Sequence, residues 1–208
     1  MSAWKICAAA LAFAFALSSA AAAQDPAAAK IQSFYNVLLD TMKRGPELGM
    51  QGRFRALEPA VDAAFDIPAM IQFIVGPSTW ATMSQQDKAA LIEAFRRMTV
   101  ANYAANFTKY DGEQFKVDPA VRQRGPDKLV QTTLVPRDDK PVPLIYRMRD
   151  TTGSWKIIDV FLEGYVSELA TRRSDFASTL AGGGAPALVA KINQLTDNLL
   201  NGTTKSSQ

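Results

Sequence analysis

Three runs of alternating apolar and polar residues between Lys128 and Ser167 organise the chain. Leu129 to Val135, Val142 to Arg149 and Trp155 to Leu162 each have the two-residue period of a strand. The segments between them, Pro136 to Pro141 and Asp150 to Gly153, are rich in residues that bend backbone cheaply, so the three strands read as an antiparallel meander. The third strand is apolar on both sides. Strict alternation sends Trp155, Ile157 and Phe161 one way and Ile158, Val160 and Leu162 the other. Such a strand must be covered on both faces, or be covered on one and line a cavity on the other.

The remaining apolar positions recur with a helical period. Ile31, Phe34, Leu38 and Met42 mark a helix over 27–44, and Phe54, Leu57, Val61 and Phe65 mark one over 53–65 that contains Pro59. Asp66 and Pro68 open a short helix, 70–75, apolar nearly all round through Ile71, Phe73 and Ile74. Gly76-Pro77 ends it, and Trp80 is expected in a loop. Ser84 with Asp87 resembles a capping box opening a long helix to about Phe107. Its two neighbouring rows, Leu91-Phe95-Met98 and Ile92-Thr99-Tyr103-Phe107, make a stripe wide enough for two partners. An edge strand over 114–124, interrupted at Pro119, is expected before the meander. After it come a helix capped by Ser167, a break at Gly182-Gly183-Gly184 and a last amphipathic helix, 186–200. These elements predict one α+β domain over 24–200, a curved four-stranded antiparallel sheet clasped by helices into a cystatin-like cone around an apolar cavity. Residues 201–208 read as a disordered tail.

Composition narrows the chemistry. The 208 residues are 48% hydrophobic, and 23 basic residues against 20 acidic ones leave a formal charge of +3 with no basic block. That argues against a nucleic-acid partner. Histidine is absent, which removes the commonest general base and the commonest metal ligand. Neither a metal-ligand cluster nor a phosphate loop nor a dinucleotide fingerprint occurs, so no metal or cofactor is expected. Lys5, the apolar run from Ile6 to Leu17 and Ala21-Ala22-Ala23 have the form of a secretory signal peptide over 1–23. The sole cysteine, Cys7, lies within it. A soluble, monomeric, periplasmic protein is the expectation.

Two segments carry a resemblance. SWKIIDVFLEGYVSELATRRSDF, residues 154–176, resembles the signature of the MlaC, or toluene-tolerance, family of periplasmic lipid-binding proteins. FDIPAMIQFIVGPSTWATMSQQDKAALIEAFRRMTVANYAANF, residues 65–107, is similar to that family's short helix, aromatic loop and long helix. KRGPELGMQGRFRALEPAVDAAFD and ELATRRSDF are similar to the hopanoid-associated HpnM branch. The resemblance spans roughly residues 31–200. One departure bears on partner contacts, for Arg172 precedes Arg173 where the family usually has an aromatic residue.

The resemblance implies a carrier that encloses the acyl chains of a phospholipid or hopanoid-type lipid and shuttles it across the periplasm. It would pass between an inner-membrane ABC transporter complex and an outer-membrane lipoprotein–porin complex. Physics sets the demand on such a pocket. Each methylene kept from water is worth about 0.8 kcal/mol, so two long chains represent roughly 20–25 kcal/mol and need an enclosed cavity. Its volume is expected near the upper end of about 300–1,000 Å³. The expected lining is Phe73, Ile74, Trp80, Leu91, Phe95, Tyr103 and Phe107 from the helices, with Leu134, Ile145, Tyr146, Ile158, Val160, Leu162 and Tyr165 from the sheet. Arg147, Arg149, Arg172 and Arg173 could meet lipid phosphate or an acidic membrane surface. For any one aromatic the plain reading is ordinary core. Two other functions stay open beside the carrier. One is a cone-fold isomerase or hydratase using Asp159 or Glu163 as base, the other a periplasmic scaffold without a cavity.

Overall fold

Four helix starts carry their own caps, which fixes where the chain enters each helix. Asp25 accepts from the Ala27 amide at 2.9 Å, Asp66 from Ala69 at 3.0 Å, Ser84 from Asp87 at 3.0 Å and Ser167 from Ala170 at 3.0 Å. In the computed structural model, which describes residues 24–203, these caps open α1 (Pro26–Lys43), α3 (Ile67–Val75), α5 (Gln85–Asn106) and α6 (Glu168–Leu200). The signal-peptide segment and residues 204–208 lie outside the described residues. Between the capped helices sit α2 (Gly45–Ala64) and the short α4 (Pro77–Thr82).

Three helical expectations change. The second helix begins at Gly45, eight residues early, and bends at Gly49, whose φ of 58° glycine adopts without strain. Trp80 is helical, on α4, because Pro77 stands at its start with φ already set for a helix. The triple glycine does not end a helix. The chain stays helical through Gly183 and bends only at Gly184, where φ is 63°.

The sheet holds six strands, not four. It runs β1 (Gln114–Val117), β3 (Asp127–Val135), β4 (Val142–Thr151), β5 (Ser154–Leu162) and β6 (Val166–Ser167), with β2 (Arg122–Arg124) also paired to β3. All the pairings are antiparallel. The extra strands have plain causes. Proline at 119 cannot donate to the ladder, so the expected single edge strand splits into β1 and β2 on the same edge of β3. Glu163 and Gly164, both at positive φ, turn the chain tightly enough to add β6.

Register overturns the strict alternation expected of β5. Arg147 pairs with Asp159 but Met148 pairs with Ile157, so Ile158 is an extra residue, a β-bulge. The bulge inverts parity. Trp155, Ile157, Val160 and Leu162 share one face with Leu144, Tyr146 and Met148, while Lys156, Asp159 and Phe161 turn to the other with Ile145 and Arg147. Ile157 to Val160 are consequently all buried although the sheet has one covered face.

Helices cover that inner face. Ile31, Leu38, Leu57, Val61, Ile71, Leu91, Leu188 and Ile192 are fully buried in one core with Val130, Met148 and Ile157 of the sheet. The edge of β5 is closed by the junction of α2 and α3, where the Asp66 amide donates to the Ile157 carbonyl at 2.9 Å. Lys128, on the inner face, ties the start of α1 to the sheet through Asp25 at 2.6 Å and lies over the Trp155 ring.

The outer face is organised by Asp127. Its carboxylate is wholly buried between two arginines, with Arg147 Nε at 2.6 Å and Arg149 Nε at 2.6 Å. Burial works to raise its pKa, but the hydrogen bonds from Arg149 and Arg147 outweigh it and hold the group below the usual carboxylate range. Asp127→Asn should therefore lower unfolding free energy by about 1–3 kcal/mol, less than a fully dry ion pair because both arginines reach solvent. A depressed folded pKa means that this contribution is complete above the unfolded value near about 4 and fades as pH falls through the folded one. Urea unfolding of both proteins at neutral and strongly acid pH checks this. A difference that persists unchanged in acid would contradict it.

Candidate functional site

The space between the sheet and the helices is where sequence periodicity places a pocket, and the structure fills it with aromatic rings. Phe34, Tyr103, Phe107, Phe115 and Tyr35 form a closed circuit of contacts, with centroids 4.5–6.3 Å apart. Phe65 joins it through Phe34 at 5.3 Å, and Tyr146 through Tyr35 at 5.8 Å. Edge-on and tilted pairs predominate, the arrangement that the ring quadrupole favours.

Polar atoms run through this apolar interior. The Tyr35 hydroxyl donates to the Tyr146 hydroxyl at 3.0 Å and shares a second bond with Thr132 Oγ1 at 2.8 Å. Tyr103 lies close enough to Tyr146 for the two phenols to influence each other. The hydroxyl network thus joins α1, β3 and β4 at one point, with Tyr103 of α5 beside it. Burial raises the Tyr35 phenol to about 12 and moves Tyr103 and Tyr146 further up. At any physiological pH the network is neutral.

The helix α5 meets the sheet in a particular way. Its backbone packs on α2, α3 and α6, and it reaches the sheet through long side chains, Tyr103 and Phe107 above all. Tyr103 and Phe107 are only half-buried, as are Leu134 and Leu162 facing the same space. These four mark a seam between α5 and the sheet.

The expected lining residues divide into two groups. Leu91, Phe95, Ile74, Tyr146 and Val160 are buried, and Tyr103, Phe107, Leu134 and Leu162 border the seam. The structure does not bring in the others. Phe73 is 44% exposed on α3 beneath the Arg173 guanidinium, and Tyr165 is 72% exposed in the β5–β6 turn, bonded to Glu163. Ile145 faces outward beside Phe161, Ile158 sits in the bulge, and half-buried Trp80 lies on α4 near Lys88. Tyr35, Thr132, Phe34, Phe65 and Phe115 are central, and the expected lining omits all five. A signal for Tyr35 was present, since it stands four residues after Ile31 and three before Leu38 on the same helical stripe.

Volume also departs from expectation. A cleft of about 280 Å³ opens on the outer face of the sheet, lined by residues including Lys116, Gln131, Thr133 and Ile145. The apolar interior holds the packed aromatic rings described above. A dry cavity costs about 24 cal/mol per Å³, so holding about 500 Å³ open with nothing in it would cost about 12 kcal/mol, comparable to a whole domain's stability.

The candidate catalytic carboxylates are engaged elsewhere. Asp159 accepts from Ser167 Oγ at 2.7 Å and from the Val160 and Leu169 amides at 2.8 and 3.3 Å, which fastens the start of α6 to β5. Burial raises its pKa against those bonds. Glu163 is exposed in the turn. Among the described residues no group of His, Cys, Asp and Glu could hold a metal ion, and no helix is long and apolar enough to cross a membrane.

Residues 32–194 match the family model described as MlaC protein. The fold is similar to that of a phospholipid-binding protein from Ralstonia solanacearum, solved in complex with a phospholipid. The two share a TM-score of 0.73 and 20% sequence identity, over 84% of this chain and 99% of that one. No curated protein sequence matches the chain.

The hydroxyl network yields two expectations. Tyr35→Phe should cost about 1–3 kcal/mol, because it strips a partner from two buried hydroxyls at once. Alkaline unfolding should be steep. A raised phenol pKa stabilises the fold fully below the unfolded value near about 10, and that stabilisation is lost as pH rises towards the folded value of about 12 for Tyr35. Denaturant titrations across this window test it, and unchanged stability through it would contradict the burial of these phenols.

Proposed function

The chain belongs to the MlaC family, and from that premise we propose that it is a periplasmic lipid carrier. Its cargo is a phospholipid or a hopanoid-type lipid, the latter in keeping with its similarity to the HpnM branch. Residues 1–23 serve as the signal peptide and 24–200 form the lipid-binding domain. The acyl chains lie between α5 and the inner face of the sheet, against Phe95, Tyr103, Tyr146 and Val160.

One observation carries this reading. The sheet is covered at close range by α1, α2, α3 and α6, while α5 packs on the other helices and reaches it through side chains, with Tyr103, Phe107, Leu134 and Leu162 all half-buried. Side chains can rotate aside where a backbone ladder cannot. Loading then exchanges contacts among the core's own rings for contacts with the tails, and parts α5 from the sheet at the Tyr103–Tyr146 contact. The lipid supplies the apolar contacts the core gives up, so the cost of an empty chamber is never met.

The headgroup stays in water at the seam. The carrier hydrolyses nothing and takes its direction from its partners, an inner-membrane ABC transporter complex and an outer-membrane lipoprotein–porin complex. Nothing at Asp159 favours the enzymatic alternative, since its hydrogen bonds serve the start of α6.

Organic extraction of the purified protein followed by mass spectrometry should find lipid in near-equal molar amount. Val160→Trp, which fills the chamber from the sheet side, should cut that amount by more than half, and Tyr165→Ala, at the exposed turn, should leave it unchanged. Tyr103→Phe, which removes the α5 hydroxyl beside Tyr146, should speed uptake from labelled vesicles by about five-fold, the scale of one hydrogen bond. An empty extract together with no uptake would contradict the carrier.

A further inference from the structure

The outward face of the sheet carries a regular array of basic side chains that the lipid chamber does not use. Register sets their positions. Arg122, Leu129, Arg147 and Asp159 lie in one row across β2, β3, β4 and β5, and Arg124, Asp127 and Arg149 lie in the next. Lys116 stands on the same face of β1, opposite Thr133. Arg122, Arg124, Arg149 and Lys116 are exposed, and Arg147 is partly so.

Two carboxylates on this face are buried, and a third, the half-buried Asp66, stands at its edge near Arg149. Asp127 is 0% exposed and Asp159 is 6% exposed, each already engaged by its own hydrogen-bond partners. The exposed acids nearest in sequence, Asp118 and Asp150, sit at strand ends, where each accepts from a backbone amide of its own turn. Arg122 and Arg124 form no ion pair among the described residues. Positive charge is therefore concentrated here in a chain whose formal net charge is only +3.

Geometry gives the array its shape. Strands are about 4.8 Å apart, so the arginines of one row are separated by about 10 Å across β3, and Arg147 and Arg149 by about 7 Å along β4. Asp127 holds the latter two in fixed forks, which reduces the rotamer entropy lost on engaging a ligand. Half-buried Leu129, Ile145 and Phe161 lie between the charges. The neighbouring cleft of about 280 Å³ is too small for a lipid.

We infer that this open sheet face, centred on Arg122, Arg124, Arg147 and Arg149, docks on the phosphate layer of an anionic membrane. A bilayer offers a repeating plane of phosphates to an array of guanidinium groups, whereas an acidic protein would need carboxylates set at matching points. Screening limits the attraction to about 8 Å at physiological salt, so the face acts in the last approach. Docking in this way sets the sheet against the headgroups with the helical roof turned towards solvent, free to open. The inference goes beyond the carrier reading and does not require it.

Flotation of the purified protein with vesicles tests it. Vesicles of phosphatidylcholine alone are compared with vesicles of equal parts phosphatidylcholine and phosphatidylglycerol, at about 0.1 M and about 1 M salt, where screening lengths are about 10 and 3 Å. Binding is expected only to the anionic vesicles and only at the lower salt. The pair Arg122→Gln and Arg124→Gln, which leaves the Asp127 forks intact, should weaken it about 25-fold, about five-fold for each arginine. Arg55→Gln with Lys191→Gln, both exposed on helices, should not weaken it. Equal binding to both vesicles, full binding by the Arg122/Arg124 variant, or no binding to either would overturn the inference, the last result leaving the face to an acidic protein surface. Lipid content by extraction separates this outcome from the carrier reading. It should be unchanged in the Arg122/Arg124 variant, and a protein that extracts empty and takes up no labelled lipid yet floats with anionic vesicles would sink the carrier alone.

Discussion

The Tyr35 and Tyr146 hydroxyls, 3.0 Å apart in an otherwise apolar interior, fix how the helical layer sits on the sheet. A phenol buried without a partner costs on the order of 1–3 kcal/mol, so each hydroxyl of the network constrains where the others can go. Thr132 completes the set, and through it α1 is held to β3 and β4 at one point, with the Tyr103 ring of α5 against Phe34. Apolar contacts alone would let those layers slide, since they are non-directional. The rings of Phe34, Phe107 and Phe115 pack around this network.

A second constraint divides the sheet's two faces. The single bulge at Ile158 lets β5 bury four consecutive residues while the sheet keeps one covered side. Its consequence reaches function. The inner face is given to aromatic and aliphatic side chains, and the outer face collects arginines around Asp127. The apolar face and the arginine-bearing face are thus back to back on one sheet.

Much of this was legible in the sequence where a residue's effect is local. Asp66, Ser84 and Ser167 announced helix starts, and the turns at 136–141 and 150–153 fixed the meander, because caps and turns depend on side chains within a few residues. What stayed hidden is tertiary. The bulge is set by pairing to β4, so alternation read along β5 alone sent Phe161 with Ile157, where the register puts Phe161 on the opposite face, beside Ile145. Phe73 and Tyr165 looked like lining because an aromatic in an apolar run carries no mark of which neighbour covers it. The Asp127 hub joins residues twenty and more apart, and a lone aspartate at a strand start gives no sign of it.

The account turns on which side of the sheet receives the tails. A phospholipid carrying a photoactivatable group at the end of one acyl chain, loaded into the protein and irradiated, answers this directly by peptide mapping. Crosslinks to Tyr103, Tyr146 and Val160, on α5 and the inner face, are the predicted result. Crosslinks confined to Gln131 and Ile145, in the outer cleft, would contradict it.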